Sequence, residues 1–138
     1  MKVAVRYYSR SGNTKKLAEA ISQAVGVPAA STDTKIEGPV DLLFLGAALY
    51  AGRLDGHVVS FLEQLSAKDV RRVAVFSTTA GGKSAYPQIK EILEKKNIDV
   101  KAQQFHCKGK FLMAHRSHPD AQDCQEAAKF AKSLCQEE

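Results

Sequence analysis

Apolar residues along the chain alternate between two periods. Lys2 to Tyr8 is a short β-rich run. From Thr14 to Val25, the residues Leu17, Ala18, Ile21, Ala24 and Val25 recur at helical spacing, and Gly26 and Pro28 end that helix. Ala29 to Thr32 suits a short second strand, and Gly38-Pro39 marks a turn. Asp41 to Ala48 is almost continuously apolar, the mark of a strand buried on both faces. Asp55 is placed to cap a helix over Gly56 to Leu65, with Val58, Phe61, Leu62 and Leu65 inward. Val73 to Ser77 reads as a fourth strand. Pro87 then sits in the first turn of a helix to Lys96, buried through Ile89, Ile92 and Leu93 and stopped by Asn97. Val100 to Cys107 is more polar and suits an edge strand. Pro119, Asp120 and Asp123 open a last helix, whose inward positions are expected to be Ala121, Cys124, Ala128, Ala131 and Cys135.

Strands separated by helices of this length predict right-handed βαβ units, hence an α/β, doubly wound, five-stranded parallel sheet with helices on both faces. A length of 138 residues, with no linker or repeat, predicts one domain over 1–138. Such sheets bind ligands at the carboxyl ends of their strands, which directs attention to the loops there.

Composition changes this picture little. Hydrophobic residues at 44% and charged residues at 25% exclude wholesale disorder. The net charge of +5 raises a nucleic-acid reading. Against it, the cations are scattered in pairs such as Lys15-Lys16 and Arg71-Arg72, Trp is absent, and the Phe and Tyr residues are not interleaved with basic ones. Cys107, Cys124 and Cys135 lack CxxC spacing, and the four histidines show no paired ligand spacing, so no metal site is expected. No apolar stretch reaches the ~20 residues of a membrane span, and no cationic leader opens the chain, so a cytoplasmic location is expected.

Three loops carry the chemistry. The first, Ser9-Arg10-Ser11-Gly12-Asn13-Thr14, offers three hydroxyls, an amide and a glycine before a helix N-terminus. Free N–H groups and the helix dipole favour an anion there, and Lys15 and Lys16 oppose that dipole unless an anion is bound. The loop Leu49 to Gly56 presents Tyr50, an aromatic suited to stacking on a planar ring. The loop Ser77 to Ser84 is rich in small residues and carries Gly81 and Gly82, which let backbone approach a ligand. Gly82-Lys83-Ser84 imitates the end of a nucleotide-triphosphate loop, but position 77, where that motif needs glycine, is Ser.

A phosphate at the first loop and a flat ring between the other two are what a phosphorylated flavin requires. On these residues the chain resembles short-chain flavodoxins over nearly its whole length. Ser9 to Thr14 resembles the family's phosphate loop, Gly46 to Gly52 its first flavin-flanking loop, and Ser77 to Gly82 its second. The stretch Phe105 to Phe111 with His118-Pro119-Asp120 also resembles the family's tail. The resemblance implies strand order 2-1-3-4-5 and FMN as cofactor. It implies FMN contacts from Ser9, Arg10, Ser11, Gly12, Asn13 and Thr14, from Ala48, Leu49, Tyr50, Ala51 and Gly52, and from Thr78, Thr79, Ala80, Gly81 and Gly82. It further implies electron transfer between redox partner proteins, with no nucleic acid and no membrane span.

Three departures modify that implication. The glycine whose carbonyl turns toward flavin N5 in the family is replaced by Ala51, with Gly52 one residue later. The chain is basic where the family is typically acidic, with Arg10, Arg53, Lys83, Lys108 and Lys110 in or near the loops. That charge is expected to favour the anionic, fully reduced flavin and acidic partners or anionic substrates. The second flanking loop carries no aromatic, Tyr86 lying at the start of the next helix. Two other functions are open on this fold: an FMN-dependent oxidoreductase acting on a quinone or protoporphyrinogen-like substrate, and a non-flavin binding module.

Overall fold

A computed structural model describes residues 1–10, 12–79, 83–108 and 119–137, with backbone alone at 79, 108 and 137. The continuous apolar run becomes the longest strand, β3 (Val40–Tyr50), two residues longer at its carboxyl end than the periodicity indicated. It lies between β1 (Val3–Tyr7) and β5 (Val70–Thr79), both parallel to it. Covered by neighbours on either edge and helices on both faces, its Leu42 to Leu45 stretch has no exposed surface.

Beyond β1 lies the short β2 (Ala29–Ser31). The predicted fifth strand is broken into β6 (Asp99–Val100) and β7 (Phe105–Lys108), both parallel to β5. The five-strand order 2-1-3-4-5 therefore holds, with the fifth strand in two pieces. One addition was not foreseen. Arg53–Leu54 forms β4, which turns back antiparallel onto Leu49 and Tyr50.

Helices α2 (Gly56–Gln64) and α3 (Tyr86–Glu94) cover one face, burying Val58, Phe61, Leu62, Ile89 and Leu93 against Leu43, Leu45, Val73 and Val75. The N-terminal cap foreseen for α2 is present, as Asp55 accepts from the His57 N–H at 2.8 Å. Helices α1 (Asn13–Val25) and α4 (Ala121–Glu137) cover the other face. There Leu17, Ala18 and Ile21 meet Leu42, Phe44 and Phe76.

The inward face of α4 differs from the expected one. Ala127, Ala131 and Leu134 are the buried positions, Ala121 is exposed, and Ala128, Cys124 and Cys135 are only half-covered. Leu134 is the largest of the three buried residues. Its burial fixes the phase of the helix, and the spacing of three back to Ala131 and four more to Ala127 follows. Burial, helped by Asp123, pushes the Cys107 thiol up to about 12.

One register row positions everything functional. Tyr7 pairs with Gly46, Gly46 with Phe76, and Phe76 with Phe105. Residues following this row on β1, β3 and β5 thus emerge at a single carboxyl edge of the sheet.

Candidate functional site

The loop after β1 is closed by its own chemistry. The Gly12 N–H donates to Ser9 Oγ at 2.9 Å, which bends the chain from strand into helix. Gly12 is the N-cap of α1, with φ at 88°, a left-handed conformation natural to glycine. As glycine it supplies no side-chain acceptor to the first turn. No acidic residue occupies that turn, while Lys15 and Lys16 there are exposed. Asn13 and Thr14 are buried at 7% and 1% exposure. Ser11 lies outside the described residues.

Thr14 ties this loop to the sheet. Its Oγ1 lies 3.0 Å from Thr78 Oγ1 at the end of β5, a buried hydroxyl pair. A side chain at Gly46 would force its neighbours to shift, because a Cβ there would lie 2.2 Å from Phe76 and 2.9 Å from Thr14 Cγ2. Gly46 is thus required by close packing of the β5 ring and the loop threonine, a role no local turn signal indicates.

Ala48, Leu49 and Tyr50 end β3, in strand rather than in the loop expected for Leu49 and Tyr50. Ala51 and Gly52 make the two-residue hairpin that returns into β4, with φ of 52° and 77°. Positive φ at both central positions is the hairpin geometry that matches strand twist, and it normally selects Asn or Gly. Both residues therefore sit in left-handed conformation, and only Gly52 does so freely. Gln88 of α3 holds the hairpin, its Nε2 donating to the Gly52 carbonyl at 2.9 Å and its Oε1 accepting from Leu54 N–H at 3.3 Å. Gln88 was not identified from the sequence, where nothing distinguishes it from any polar helical residue.

The second flanking loop is described only in part. Thr78 is buried with the bond to Thr14. Thr79 is the last residue of β5, and Ala80, Gly81 and Gly82 lie outside the described residues. Ser77, the residue that spoiled the nucleotide-triphosphate motif, has a structural role: its Oγ accepts from Ala85 N–H at 3.2 Å ahead of α3. Tyr86 turns away from the edge and donates its hydroxyl to the Lys101 carbonyl at 3.1 Å.

Arg10 joins the first two loops. Its backbone N–H donates to Tyr50 Oη at 3.2 Å, and its guanidinium carbon lies 3.9 Å from the Tyr50 ring centroid. Its Nε and Nη2 donate to Asp55 Oδ2 at 3.1 and 2.5 Å. The other carboxylate oxygen, Oδ1, takes the His57 N–H at 2.8 Å and lies 2.7 Å from His57 Nδ1. The His57 ring in turn stacks on Tyr8, centroids 4.7 Å apart. Burial alone would push the Asp55 carboxyl up, but the bonds from Arg10 and His57 outweigh it and hold the group down at about 2. Burial pushes the Tyr50 phenol up.

This network corrects one expectation. Arg10 is not a free cation of the rim but the partner of a carboxylate only 7% exposed. Arg53 and Lys83 are exposed as foreseen, whereas the side chains of Lys108 and Lys110 lie outside the described residues. Asp55 and His57 also line a groove of about 580 Å³ with Thr32, Asp33, Ser60 and Gln64. Among the described residues, none of the phosphate-type loop lines that groove.

Among the described residues no group of His, Cys, Asp and Glu is arranged to hold a metal ion, and no helix is long and apolar enough to cross a membrane.

Comparison with known proteins agrees with this architecture. A model of the flavodoxin domain matches residues 4–116. An uncharacterized protein of Methanocaldococcus jannaschii is 25% identical, the match covering 97% of this chain and 98% of the other. Among solved structures, a flavodoxin from the domain Archaea superposes with a TM-score of 0.77 at 20% identity, covering 99% of this chain and 98% of the other. Oxidised flavodoxin 2 of Bacillus cereus gives 0.75 at 19% identity, with full coverage of both chains. The rubredoxin oxygen:oxidoreductase of Desulfovibrio gigas gives 0.77 at 14% identity, with 99% of this chain matching 35% of that one. With the matched family model spanning most of the sequence, and the sheet order and helical layers in agreement, the chain belongs to the flavodoxin domain family.

Proposed function

We propose that this protein binds FMN noncovalently at the carboxyl edge of its sheet and passes electrons between redox partner proteins. The observation that carries the proposal is the α1 N-terminus. A positive-φ glycine cap without a side-chain acceptor, two lysines and no acid in the first turn make an N-terminus suited to a phosphate. The same edge brings Tyr50 within one hydrogen bond of that loop.

When bound, FMN would supply one- and two-electron chemistry through its isoalloxazine ring. The chain's own residues would bind and orient it. Ser9 to Thr14 would receive the phosphate on backbone N–H groups and hydroxyls. Ala48 to Gly52, with Tyr50 as the stacking ring, would form one wall, and Thr78 to Gly82 the other. The close packing at Gly46 supports this reading, since it keeps Thr14 and Thr78 together where the two loops meet.

Exposed Arg53 and Lys83 support an acidic partner surface. Arg53 follows the hairpin directly, so its charge would favour the fully reduced, anionic flavin, discounted for solvent screening.

Purification tests cofactor class first. The expected product is yellow and releases FMN on denaturation, and apoprotein should bind FMN more tightly than riboflavin in calorimetric titration. A colourless protein with no affinity for either flavin would sink the proposal. Potentiometry of wild type and Arg53→Glu then tests the charge argument: the second reduction step is expected to become more negative in the variant.

A further inference from the structure

The network at Asp55 contains more than a helix cap needs. A helix cap needs one carboxylate oxygen, and Oδ1 already provides it to the His57 N–H. Oδ2 is left for another purpose, and both guanidinium donors that reach it come from Arg10, 45 residues earlier in the chain. The same arginine donates its backbone N–H to Tyr50 Oη and lays its guanidinium over the Tyr50 ring. A single residue of the phosphate-type loop is therefore fastened to the β3 end and to the α2 cap at once.

We infer that Asp55 is a positioning residue: it fixes Arg10 as a latch between the Ser9–Thr14 loop and Tyr50, so that the two halves of the ligand site are held in register. The inference rests on the flavin reading for its ligand, but the latch itself is a property of the protein alone.

The physical argument is preorganisation. Two loops that must grip the ends of one ligand lose conformational freedom when they do so, and a prior link lowers that cost. The link is well built. The guanidinium is planar, reaches one carboxylate oxygen through two donors and stacks on an aromatic face, a combination lysine cannot reproduce. The carboxylate is 7% exposed and held from its other side by His57, whose ring is braced on Tyr8. The Arg10 charge is thereby matched by Asp55, so the arginine acts as a brace rather than as a diffuse attractor of anions.

The test uses the 138-residue chain, free and with FMN, riboflavin or inorganic phosphate as probes, in wild type, Asp55→Asn, Arg10→Lys and Arg10→Ala. Asparagine retains the helix cap and removes the ion pair. In ¹H–¹⁵N spectra of the flavin-free wild type, the Arg10 Nε–H is expected as a distinct, exchange-protected resonance that disappears in Asp55→Asn. FMN affinity is expected to fall about tenfold in Asp55→Asn and Arg10→Lys, while riboflavin and phosphate, each using one half of the site, weaken by about threefold or less. The losses in Asp55→Asn and Arg10→Ala should be non-additive when combined.

A protected Arg10 resonance surviving in Asp55→Asn would overturn the latch, as would unchanged FMN affinity in that variant. Tighter FMN binding in Arg10→Ala would also overturn it, because the guanidinium would then be covering the ring the ligand needs. If wild type binds no flavin, the cofactor reading fails, and the Nε–H resonance still decides the latch.

Discussion

Gly46 shows how one residue can be fixed by a contact across the sheet. Its missing Cβ makes room for the Phe76 ring and for Thr14, so Gly46→Ala must displace both. Both neighbours are fully packed, and overpacking of this kind costs about 1–3 kcal/mol. The expected result is a lower urea midpoint with an unchanged slope. Ala51 presents the reverse case. Holding φ at 52° costs a non-glycine residue roughly 1–2 kcal/mol, while glycine would add about 0.5–1 kcal/mol of unfolded-chain entropy. Ala51→Gly should therefore stabilise by about 0.5–1 kcal/mol, visible as a Tm increase of a few degrees. A decrease would mean that the alanine methyl makes a compensating contact.

Asp55 adds a pH dependence whose sign follows from its depressed pKa. The carboxyl sits at about 2 in the folded chain against 3.8 for the free side chain, so the stability it provides is complete above 3.8 and lost as pH falls toward 2. Urea midpoints measured between pH 5 and pH 2 should therefore fall more steeply for wild type than for Asp55→Asn. Parallel curves would assign the acid sensitivity elsewhere.

At the scale of elements, the hairpin β3–β4 depends on α3 for its position. Gln88 makes two bonds to it, one to the Gly52 carbonyl and one to the Leu54 N–H. Gln88→Leu removes both partners, at a net cost of about 1–2 kcal/mol if each bond contributes its usual share. Amide exchange at Leu54 should accelerate, and FMN affinity should fall with it if the hairpin forms one wall of the site. The helices themselves were legible because Leu17, Ile21, Phe61, Leu62, Ile89 and Leu93 carry a clear 3.6-residue period. The α4 face was misread because alanine and cysteine give little contrast, and Leu134 alone set its phase. β4 was illegible for another reason: a two-residue strand has no period of its own and exists only because the Ala51-Gly52 turn folds it onto β3.

Over the whole molecule, the net charge of +5 has a different meaning once residues have positions. Arg10 is matched by Asp55 and Arg72 lies 3.7 Å from Asp99, while Arg53 and Lys83 stay exposed at the edge where ligands and partners would meet the sheet. Association with an acidic redox partner should slow as ionic strength rises, since a Debye length of about 8 Å at physiological salt screens such exposed charges. Cys107 is pushed up to about 12, so at neutral pH its modification by maleimides should be slow.

The sequence by itself determined the layered α/β order, because burial on both faces of β3 and on one stripe of α1, α2 and α3 writes directly into hydrophobic period. It also determined which loops lie at the carboxyl edge, because parallel βαβ connections leave no other place for them. Only the tertiary structure decided how those loops meet. The Thr14–Thr78 hydroxyl pair, the space Gly46 yields to Phe76 and the Arg10–Asp55 bond join residues 30 to 64 positions apart. Contacts at that separation leave no period in the chain, since they depend on which strands become neighbours and at what register.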